Sequence, residues 1–490
     1  MRHPQRPATA AHGGHSALGA LQRAEVADLE PGAGRSHAQP GEPGRLSAGA
    51  AMNDQPDKIR RSHPGYRAGS GWNLMLAPRL AHTTAPSARD FDAIVIGAGF
   101  TGLAAARRIA QLQPQASVLV VDATTIGDGA SGRNSGFLIS LPHNTGMAGH
   151  GSPAAVARKQ IRLYDMGLQW LHGIVTQQAI ECDWSPAGKF HAAATKDGER
   201  SLRTTLAQYR QWGVGYRELD ADALHDAFGT AYYRYGYHSA HSVFVQPAAL
   251  SRGLADSLPA NVHLWEGEPV TGLRGSGPFQ VQTASTTLRA GRVIVANNGF
   301  ATRLGLARDR IFTIYTYAAL TPVLAERERA KQGPDSEWGL IPANRLGTTL
   351  RKTRDGRLMV RSAYSYQAEL PLARVRDMLQ DCYRRRYPGM AAHAFEYVWG
   401  GATALTRNGA LYFGEVRNGL YVSLGCNGAG VLKGTMFGKL LGEMAAGHHS
   451  PELSDALGLQ RPNWLPPDPI RRIAVVSALK WHKHRAGLER

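Results

Sequence analysis

The sequence predicts an α/β protein with two domains: a discontinuous one on a mostly parallel sheet, and a second, mixed-sheet α+β domain. Residues 93–96 form a short apolar run, which is typical of a buried parallel strand. A glycine-rich turn, a helical pattern over residues 101–112 and an apolar strand over residues 117–121 follow, which together make a βαβ unit. From about residue 310 to 397 the pattern changes to aromatic-rich strands, which indicates a second sheet.

The glycine-rich turn predicts a dinucleotide site. Gly97, Gly99 and Gly102 have the G-x-G-x-x-G spacing: the first permits a tight turn, the second lets a pyrophosphate approach the backbone, and the third lets the helix pack on the sheet. Asp122 ends the second strand, where its carboxylate can accept hydrogen bonds from ribose hydroxyls. A glycine triplet alone also makes ordinary turns, but strand, glycines, helix, strand and acid occur here in order. These residues leave FAD and NAD both open.

The next loop distinguishes the two cofactors. Residues 126–138 read I-G-D-G-A-S-G-R-N-S-G-F-L, in which Ser131 and Asn134 supply hydrogen bonds and Arg133 supplies charge. This text resembles the A-S-G-R-N-G/S-G loop of the FAD-dependent D-amino acid oxidase superfamily, particularly its glycine oxidase, sarcosine oxidase and gamma-glutamylputrescine oxidase-like branch. The resemblance implies a Rossmann-type FAD-binding domain in which this loop follows the pyrophosphate and passes under the flavin.

Two later segments carry the same resemblance. Val270 corresponds to the family's short strand whose backbone meets the adenine. Residues 420–430 read L-Y-V-S-L-G-C-N-G-A-G and lead into a helix predicted over residues 431–446. In the family this helix points its N-terminus at the flavin N1–C2=O edge, where about half a positive charge stabilises the reduced ring. The resemblance therefore places Gly428, Gly430 and Val431 at the cofactor. The family's usual text here is G-[YF]-S-G-H-G, and this sequence lacks its aromatic residue and its histidine.

The resemblance covers about residues 91–447 and implies that the cofactor domain is discontinuous. Residues 1–51 are rich in Ala, Gly, Pro, Arg and His, so we expect disorder there, and Met52 is a plausible true start. The predicted segments are a disordered extension (1–51), a first FAD-binding segment (88–155), a substrate or cap segment (156–235), a second FAD-binding segment (236–305), the substrate-domain sheet (306–396), a third FAD-binding segment (397–450) and a C-terminal tail (451–490).

Composition sets wider limits. The formal net charge is +18, but the charge is spread along the chain, so we interpret it as surface composition and expect no nucleic-acid partner. The three cysteines show no metal or disulfide spacing, and the histidines show no metal spacing, so neither a metal site nor a disulfide is expected. No run reaches the ~18 apolar residues of a membrane-spanning helix. We expect a soluble, cytoplasmic protein.

Candidate substrate-side residues come from the resemblance and from residue type. Arg361 and Tyr317 lie on predicted strands of the second sheet, and Asn427 lies beside the flavin motif. Lys433 and Arg407 could meet a substrate carboxylate, but a solvated surface position is expected for both. The tail residues 481–484 are expected to form a solvated helix end.

Two missing residues bear on the cofactor. Met359 stands where the resemblance implies a lysine that, in some relatives, aids reaction with oxygen, which weakens the case for a fast oxidase and leaves a dehydrogenase open. No cysteine occurs in the W-G-G stretch, residues 399–401, where some relatives tether the flavin, so noncovalent FAD is expected.

The function implied is FAD-dependent oxidation of a primary or secondary amine or amino acid at its C–N bond. Hydride transfer to flavin N5 would give an imine that water hydrolyses, and O2 or another acceptor would reoxidise the flavin. Three alternatives stay open: a hydroxy-acid or polyol dehydrogenase of the same fold, a flavin-dependent tRNA-modifying amine oxidoreductase, and a binding protein that keeps FAD structurally. The sequence does not identify the amine, the electron acceptor or the oligomeric state.

Overall fold

A computed structural model describes residues 62–142, 153–390 and 392–490. The expectations for residues 1–51 and Met52 lie outside these described residues. In chain order the strands are β1 (Asp90–Ile96), β2 (Val118–Val121), β3 (Phe137–Ile139), β4 (Lys189–Ala193), β5 (Arg217–Asp220), β6 (Tyr235–Ser239), β7 (Ser242–Phe244), β8 (Val262–Trp265), β9 (Val270–Arg274), β10 (Phe279–Thr283), β11 (Thr287–Val295), β12 (Ile311–Leu320), β13 (Trp338–Pro342), β14 (Thr349–Lys352), β15 (Leu358–Tyr366), β16 (Tyr397–Thr406), β17 (Tyr412–Arg417) and β18 (Leu420–Leu424).

The helices lie mostly outside the two large sheets. The longest of the described helices is Pro153–Gln177. In chain order the α-helices are α1 (Gly71–Leu74), α2 (Phe100–Leu112), α3 (Pro153–Gln177), α4 (Lys196–Trp212), α5 (Ala221–Phe228), α6 (Pro247–Asp256), α7 (Glu326–Ala330), α8 (Leu372–Arg386), α9 (Gly430–Ala445), α10 (Pro451–Leu457) and α11 (Ile470–Ala486).

The first large sheet, here called the cofactor sheet, has the order β17-β18-β11-β1-β2-β8. In addition, β10 pairs with β11, and β9 pairs with β10. β1 runs parallel to both β2 and β11, and β18 runs parallel to β11. Its strands come from three separate stretches of the chain, and β1, β2 and β18 are apolar and buried on both faces. This doubly covered parallel arrangement confirms the predicted Rossmann-type α/β fold.

Helices α2 and α9 pack closely on one face of the cofactor sheet. The contact is close because α9 presents glycines to α2: a Cβ added at Gly438 would lie 2.3 Å from the carbonyl oxygen of Thr101, and one at Gly442 would lie 2.7 Å from that of Ala105. The loop before each helix faces the same edge of the sheet. Two helix N-termini therefore meet beside the carboxyl ends of the parallel strands, where open α/β sheets bind ligands.

The second large sheet, here called the substrate sheet, has the order β16-β12-β15-β14-β13-β4-β6-β5. Helix α8 covers one face with Val375, Leu379 and Tyr383. On β4, Phe190 belongs to this same core, whereas Lys189 lines the cavity described below, because neighbouring side chains on a strand point to opposite faces. This mixed sheet with its packed helices is the predicted second, α+β domain.

Two segments differ from the predicted organisation. The sequence places residues 397–406 in the third FAD-binding segment, but β16 pairs along its whole length with β12 of the substrate sheet. The segment 451–490 is predicted as a C-terminal tail with a solvated helix end at residues 481–484, yet α11 packs on the substrate sheet through Val475, and His482 is only 7% exposed. The Glu489 carboxylate accepts hydrogen bonds from the amide and hydroxyl of Thr195. The expected solvated end is therefore wrong for His482.

Among the described helices, none combines the length and the apolar content needed to cross a membrane.

Candidate active site

One elongated cavity has walls from both large sheets. The β1–α2 turn, the end of β2 and the loop after it line one end. The substrate sheet lines the other, and the first turn of α9 lies on the wall as well. Residues 62–66 also line the cavity, although no sequence motif marks them: the Ser62 hydroxyl donates to the carbonyl of Val270, and Tyr66 lies beneath a guanidinium.

The β1–α2 turn has the geometry that its glycines predict. Gly97 has φ +101°, a left-handed conformation that strains any other residue. A Cβ at Gly102 would lie 1.8 Å from the carbonyl oxygen of Gly97, so the helix can start here only with glycine. Gly97 and Gly99 line the cavity, whereas Gly102 lies behind the turn. The turn exposes backbone to a ligand at a helix N-terminus, which is suited to an anionic group.

Asp122 lies at the end of β2 and faces the cavity. Its carboxylate accepts hydrogen bonds from the Ala98 amide (2.7 Å) and from the amide and hydroxyl of Thr124 (2.8 and 2.9 Å). Burial raises the pKa of Asp122, and these hydrogen bonds oppose that shift. A carboxylate has about four acceptor positions, so one remains for a ligand hydroxyl.

The loop after β2 is held by its own polar groups. The Ser131 hydroxyl accepts from the Phe100 amide at 3.0 Å, and the Asn134 side chain donates to the Ser131 carbonyl at 2.7 Å. Arg133 donates to the carbonyls of Asp128 and Gly400 and stacks on the Tyr66 ring, 3.6 Å from its centroid. Ser131, Arg133 and Asn134 all line the cavity. The Arg133 guanidinium thereby fastens the cofactor loop to β16.

The first turn of α9 faces the cavity through Gly428, Gly430 and Val431. No side chain caps this helix, so its first amides keep their donors for a ligand. A Cβ at Gly428 would meet nothing within 4 Å, and this residue has φ +80°, so glycine leaves both room and the required turn. The cavity therefore fits FAD at three points: the glycine turn, the spare acceptor of Asp122 and this uncapped helix.

Asn427 is predicted as a catalytic residue, but its side chain is committed elsewhere. Its amide oxygen accepts from the Thr406 amide at 2.9 Å, and its amide nitrogen donates to the carbonyls of Gly409 and Gly425 at 3.0 and 2.7 Å. Asn427 is buried and has φ +54°. Its side chain therefore shapes the loop before α9.

Tyr317 has a similar constraint. Its hydroxyl accepts from the Leu370 amide at 2.6 Å and contacts the Ser365 hydroxyl at 2.7 Å. It lines the cavity, but these two bonds leave its hydroxyl little capacity for a substrate.

Arg361 reaches the cavity from the substrate sheet. It pairs with Ala318 on β12 and with Thr349 on β14, and all three residues line the cavity. Its guanidinium donates to the Tyr364 hydroxyl at 3.0 Å, and that hydroxyl donates to the Arg345 carbonyl at 2.8 Å. No ion pair joins Arg361 to a carboxylate within the described part of the chain. Its charge is available to a ligand.

Two buried lysines join Arg361 in the cavity wall. Lys189 is fully buried, and its ammonium has no hydrogen-bond partner among the described residues. Burial lowers its pKa to about 7. Lys433 is 2% exposed, and burial, reinforced by the charge of Arg345, lowers its pKa to about 8. The expectation that Lys433 is a solvated surface charge is wrong, whereas Arg407 is half-buried and absent from the cavity wall.

Met359 does not take the flavin-side position that the sequence suggested. It packs in a buried cluster with Trp72, Ala248 and Trp399, outside the cavity wall. Two residues further along β15, Arg361 faces the cavity. Cys426 does line the cavity and lies 3.3 Å from the Thr403 hydroxyl, so a thiol is present even though the W-G-G stretch has none.

A glycine turn and a ribose-type carboxylate at one end, with cationic side chains on a second sheet at the other, define a dinucleotide-dependent oxidoreductase. The chain belongs to the family of FAD dependent oxidoreductases (DAO), whose model matches residues 92–444. It is therefore an oxidoreductase, and its cofactor is FAD.

Several known proteins are similar to this chain. A probable oxidoreductase OrdL of Rhizobium meliloti (strain 1021) is 27% identical over 436 residues, covering 86% of this chain and 97% of the relative. Gamma-glutamylputrescine oxidoreductase of Escherichia coli (strain K12) is 27% identical over 368 residues, covering 73% and 84%. The crystal structure of glycine oxidase from Geobacillus kaustophilus has a TM-score of 0.63 at 18% identity, covering 74% of this chain and 96% of that one, which shows the shared fold.

Sequence reasoning missed Lys189 as a cavity residue, although a signal existed. Strand β4 reads K-F-H-A-A, so Lys189 and His191 alternate with the buried Phe190. Lys433 also carried a signal, because α9 is apolar or small on nearly all sides, so a lysine within it must be buried.

Proposed function

We propose that this enzyme oxidises an amino acid or another carboxylate-bearing amine at its C–N bond to an imine, which water then hydrolyses. The observation that carries the proposal is Arg361, a cation without a carboxylate partner among the described residues, in a cavity whose far end fits FAD. An arginine presents a planar fork that matches a carboxylate. Support also comes from the relative named gamma-glutamylputrescine oxidoreductase.

When bound, FAD supplies the two-electron chemistry by accepting a hydride from the carbon next to the substrate nitrogen. The glycine turn and Asp122 would hold the nucleotide moiety, and the first amides of α9 would stabilise negative charge on the ring. Arg361 would hold the substrate carboxylate and so orient the C–H bond. Apolar residues of the wall, among them Ile314, Ile341 and Leu479, exclude water from the reacting atoms.

The amine must lose its proton before it can give up hydride, because the nitrogen lone pair drives the reaction. Positive charge at Arg361 and Lys433 lowers the pKa of a bound ammonium, since like charges disfavour the protonated form. The proton can pass to water or to a neutral lysine, and Lys189, with a pKa of about 7, is partly neutral near neutral pH. The substrate ammonium thus loses one proton and one hydride and becomes an iminium, the protonated form of the imine, which water then hydrolyses.

The test is anaerobic flavin reduction against a panel of amines, amino acids and hydroxy acids. We expect amino acids to bleach the flavin, with a rate that rises with pH to a plateau and slows when deuterium replaces the α-hydrogen. If a hydroxy acid reduces the flavin and no amine does, the enzyme is a hydroxy-acid dehydrogenase. Reduction by a modified tRNA alone would instead identify a tRNA-modifying enzyme.

A further inference from the structure

The substrate end of the cavity has an excess of positive charge. Asp122 is the only aspartate or glutamate among the described residues that line the cavity, and it lies at the nucleotide end. Besides Arg133 of the cofactor loop, four cationic side chains line the cavity, and they come from different elements of the fold: Lys189 (β4), Arg345 (the β13–β14 loop), Arg361 (β15) and Lys433 (α9).

Three of these four groups lie close together. The Tyr364 hydroxyl joins Arg361 to the Arg345 backbone, and Arg345 lies close enough to Lys433 to lower its pKa. These three cations therefore lie together beside the first turn of α9. Lys189 lines the same cavity from β4, on the same face of the substrate sheet as His191.

Burying these cations without a neighbouring anion costs free energy. An isolated ammonium transferred from water to a protein interior costs several kcal/mol even after relaxation. Neither Lys189 nor Lys433 has an ion-pair partner among the described residues. The pyrophosphate of FAD belongs beside Gly97 and Gly99 at the far end, so it neutralises none of them. The reduced ring and one substrate carboxylate supply one negative charge each, which leaves cations uncompensated.

We propose that the substrate is an amino diacid: an amine whose carbon skeleton carries two carboxylates. The inference rests on the proposed function and specifies its substrate class. Arg361 holds one carboxylate through its planar fork, and Lys433 receives the second, with Arg345 and the charged fraction of Lys189 adding to the positive potential. The same potential repels polyamines, because a second ammonium would enter a region of like charge.

Matched pairs of substrates test the proposal in the intact holoenzyme. Anaerobic flavin reduction is measured with aspartate against alanine, both enantiomers of each, and with iminodiacetate against sarcosine. Each pair differs by one carboxylate and keeps the amine type. We expect the diacid of each pair to half-reduce the flavin at a concentration at least tenfold lower than the concentration of the monoacid that does so. Putrescine serves as the diamine and should be the poorest reductant.

A binding measurement separates charge from turnover. Succinate and butyrate, neither of which has an amine to oxidise, are titrated at constant ionic strength while the flavin absorbance is followed. We expect at least tenfold tighter binding of succinate. Lys189→Met and Lys433→Met should each narrow this ratio, while Lys480→Met, which removes an exposed lysine outside the cavity wall, should leave it unchanged.

The outcomes distinguish the two proposals. If the monoacids or putrescine reduce the flavin as readily as the diacids, the diacid inference is overturned and amine oxidation stands. If no amine or amino acid reduces the flavin, the proposal of amine oxidation is refuted. The succinate titration then still tests whether the cavity binds a second carboxylate. Equal affinity for succinate and butyrate, or a ratio that neither lysine variant changes, would refute the second carboxylate site.

Discussion

The two ends of the cavity are built in different ways. At the nucleotide end, backbone forms most of the site: glycines bring the chain close to the ligand, and Asp122 is a single carboxylate held by neighbouring amides. At the substrate end, long charged side chains from four separate elements converge on one region. The nucleotide end depends on local geometry, so each glycine there is hard to replace. The substrate end depends on charge, so its specificity can change by single substitutions without altering the fold.

Gly102→Ala should have the largest effect if the nucleotide end depends on backbone approach. The new methyl group would overlap the Gly97 carbonyl, which cannot move without opening the turn. We expect loss of flavin and a destabilisation of about 4 kcal/mol or more, measured by flavin absorbance and thermal unfolding.

The matched control for that variant is Gly173→Ala in α3, where a methyl group meets nothing within 4 Å. It should keep the flavin and gain up to about 1 kcal/mol of stability, because glycine is unfavourable within a helix. Full flavin occupancy in Gly102→Ala would show that the turn is not the cofactor turn.

Arg361→Met tests the substrate end. It removes two charge-assisted hydrogen bonds to a carboxylate, each worth roughly 1.5–3 kcal/mol, so the substrate concentration for half-reduction should rise at least a hundredfold. Flavin content and melting temperature should remain close to those of the parent enzyme. Arg361→Lys should recover only some of the affinity, since lysine cannot bond bidentately. An unchanged half-reduction concentration in Arg361→Met would remove Arg361 from the substrate site.

Asp122→Asn should have a smaller effect at the nucleotide end. The asparagine keeps the shape of the side chain but removes the negative charge that strengthens the hydrogen bond to a ribose hydroxyl. A hydrogen bond to a charged group is worth roughly 1.5–3 kcal/mol. We expect the dissociation constant of FAD to rise about 10- to 100-fold, as measured by flavin release on dilution. A dissociation constant that does not change would place the ribose elsewhere.

Lys433→Met should alter the pH dependence of stability in the protein stripped of flavin. The pKa of Lys433 is about 8 when folded, against about 10.4 when unfolded, so the unfolded chain binds more protons between these pH values. The parent protein therefore gains stability as pH rises from about 8 to 10, and loses it as pH falls. The neighbouring titratable groups are Arg345 and Cys426.

The methionine variant removes that dependence. Its melting temperature at pH 7 should lie about 2–5 °C above that of the parent, because an unpaired buried charge is gone, and the two should converge near pH 10. A lower melting temperature at pH 7 would mean that Lys433 has a stabilising partner in the folded protein.

The smallest effect concerns the flavin linkage. We predict noncovalent FAD, so acid precipitation should leave all flavin in the supernatant. Cys426 lies in the cavity wall, so it is the thiol to test: Cys426→Ser should leave flavin release unchanged. Flavin retained in the pellet of the parent but released from the variant would identify a thioether at this residue.

The sequence was sufficient where function follows from consecutive residues. The ends of the first strand and of helix α2 were predicted to within a few residues. The positions of the glycines at the turn and of Asp122 at the end of β2 were predicted as well, because one strand–turn–helix–strand unit determines them. The position of Lys189 could not be derived from its neighbours alone, since it depends on which strands pair with β4.

Helix α9 and its preceding loop show a second limit. The start of this helix at a glycine-rich turn was predictable from the text of residues 420–430, but not the direction of the Asn427 side chain. An amide beside a flavin motif fits both a substrate contact and a loop brace. Only the positions of Thr406, Gly409 and Gly425, which fill its hydrogen-bonding capacity, distinguish the two roles.

The discontinuous cofactor sheet has a consequence for synthesis of the protein on the ribosome. β1 pairs with β11, which lies far along the chain, and β11 in turn pairs with β18. At typical elongation rates β1 waits on the order of ten seconds or more for this neighbour, with an apolar edge unpaired. The first turn of α9 emerges later still. FAD is therefore a late ligand: it can bind only when three distant stretches have met, and its binding then draws them together by mass action.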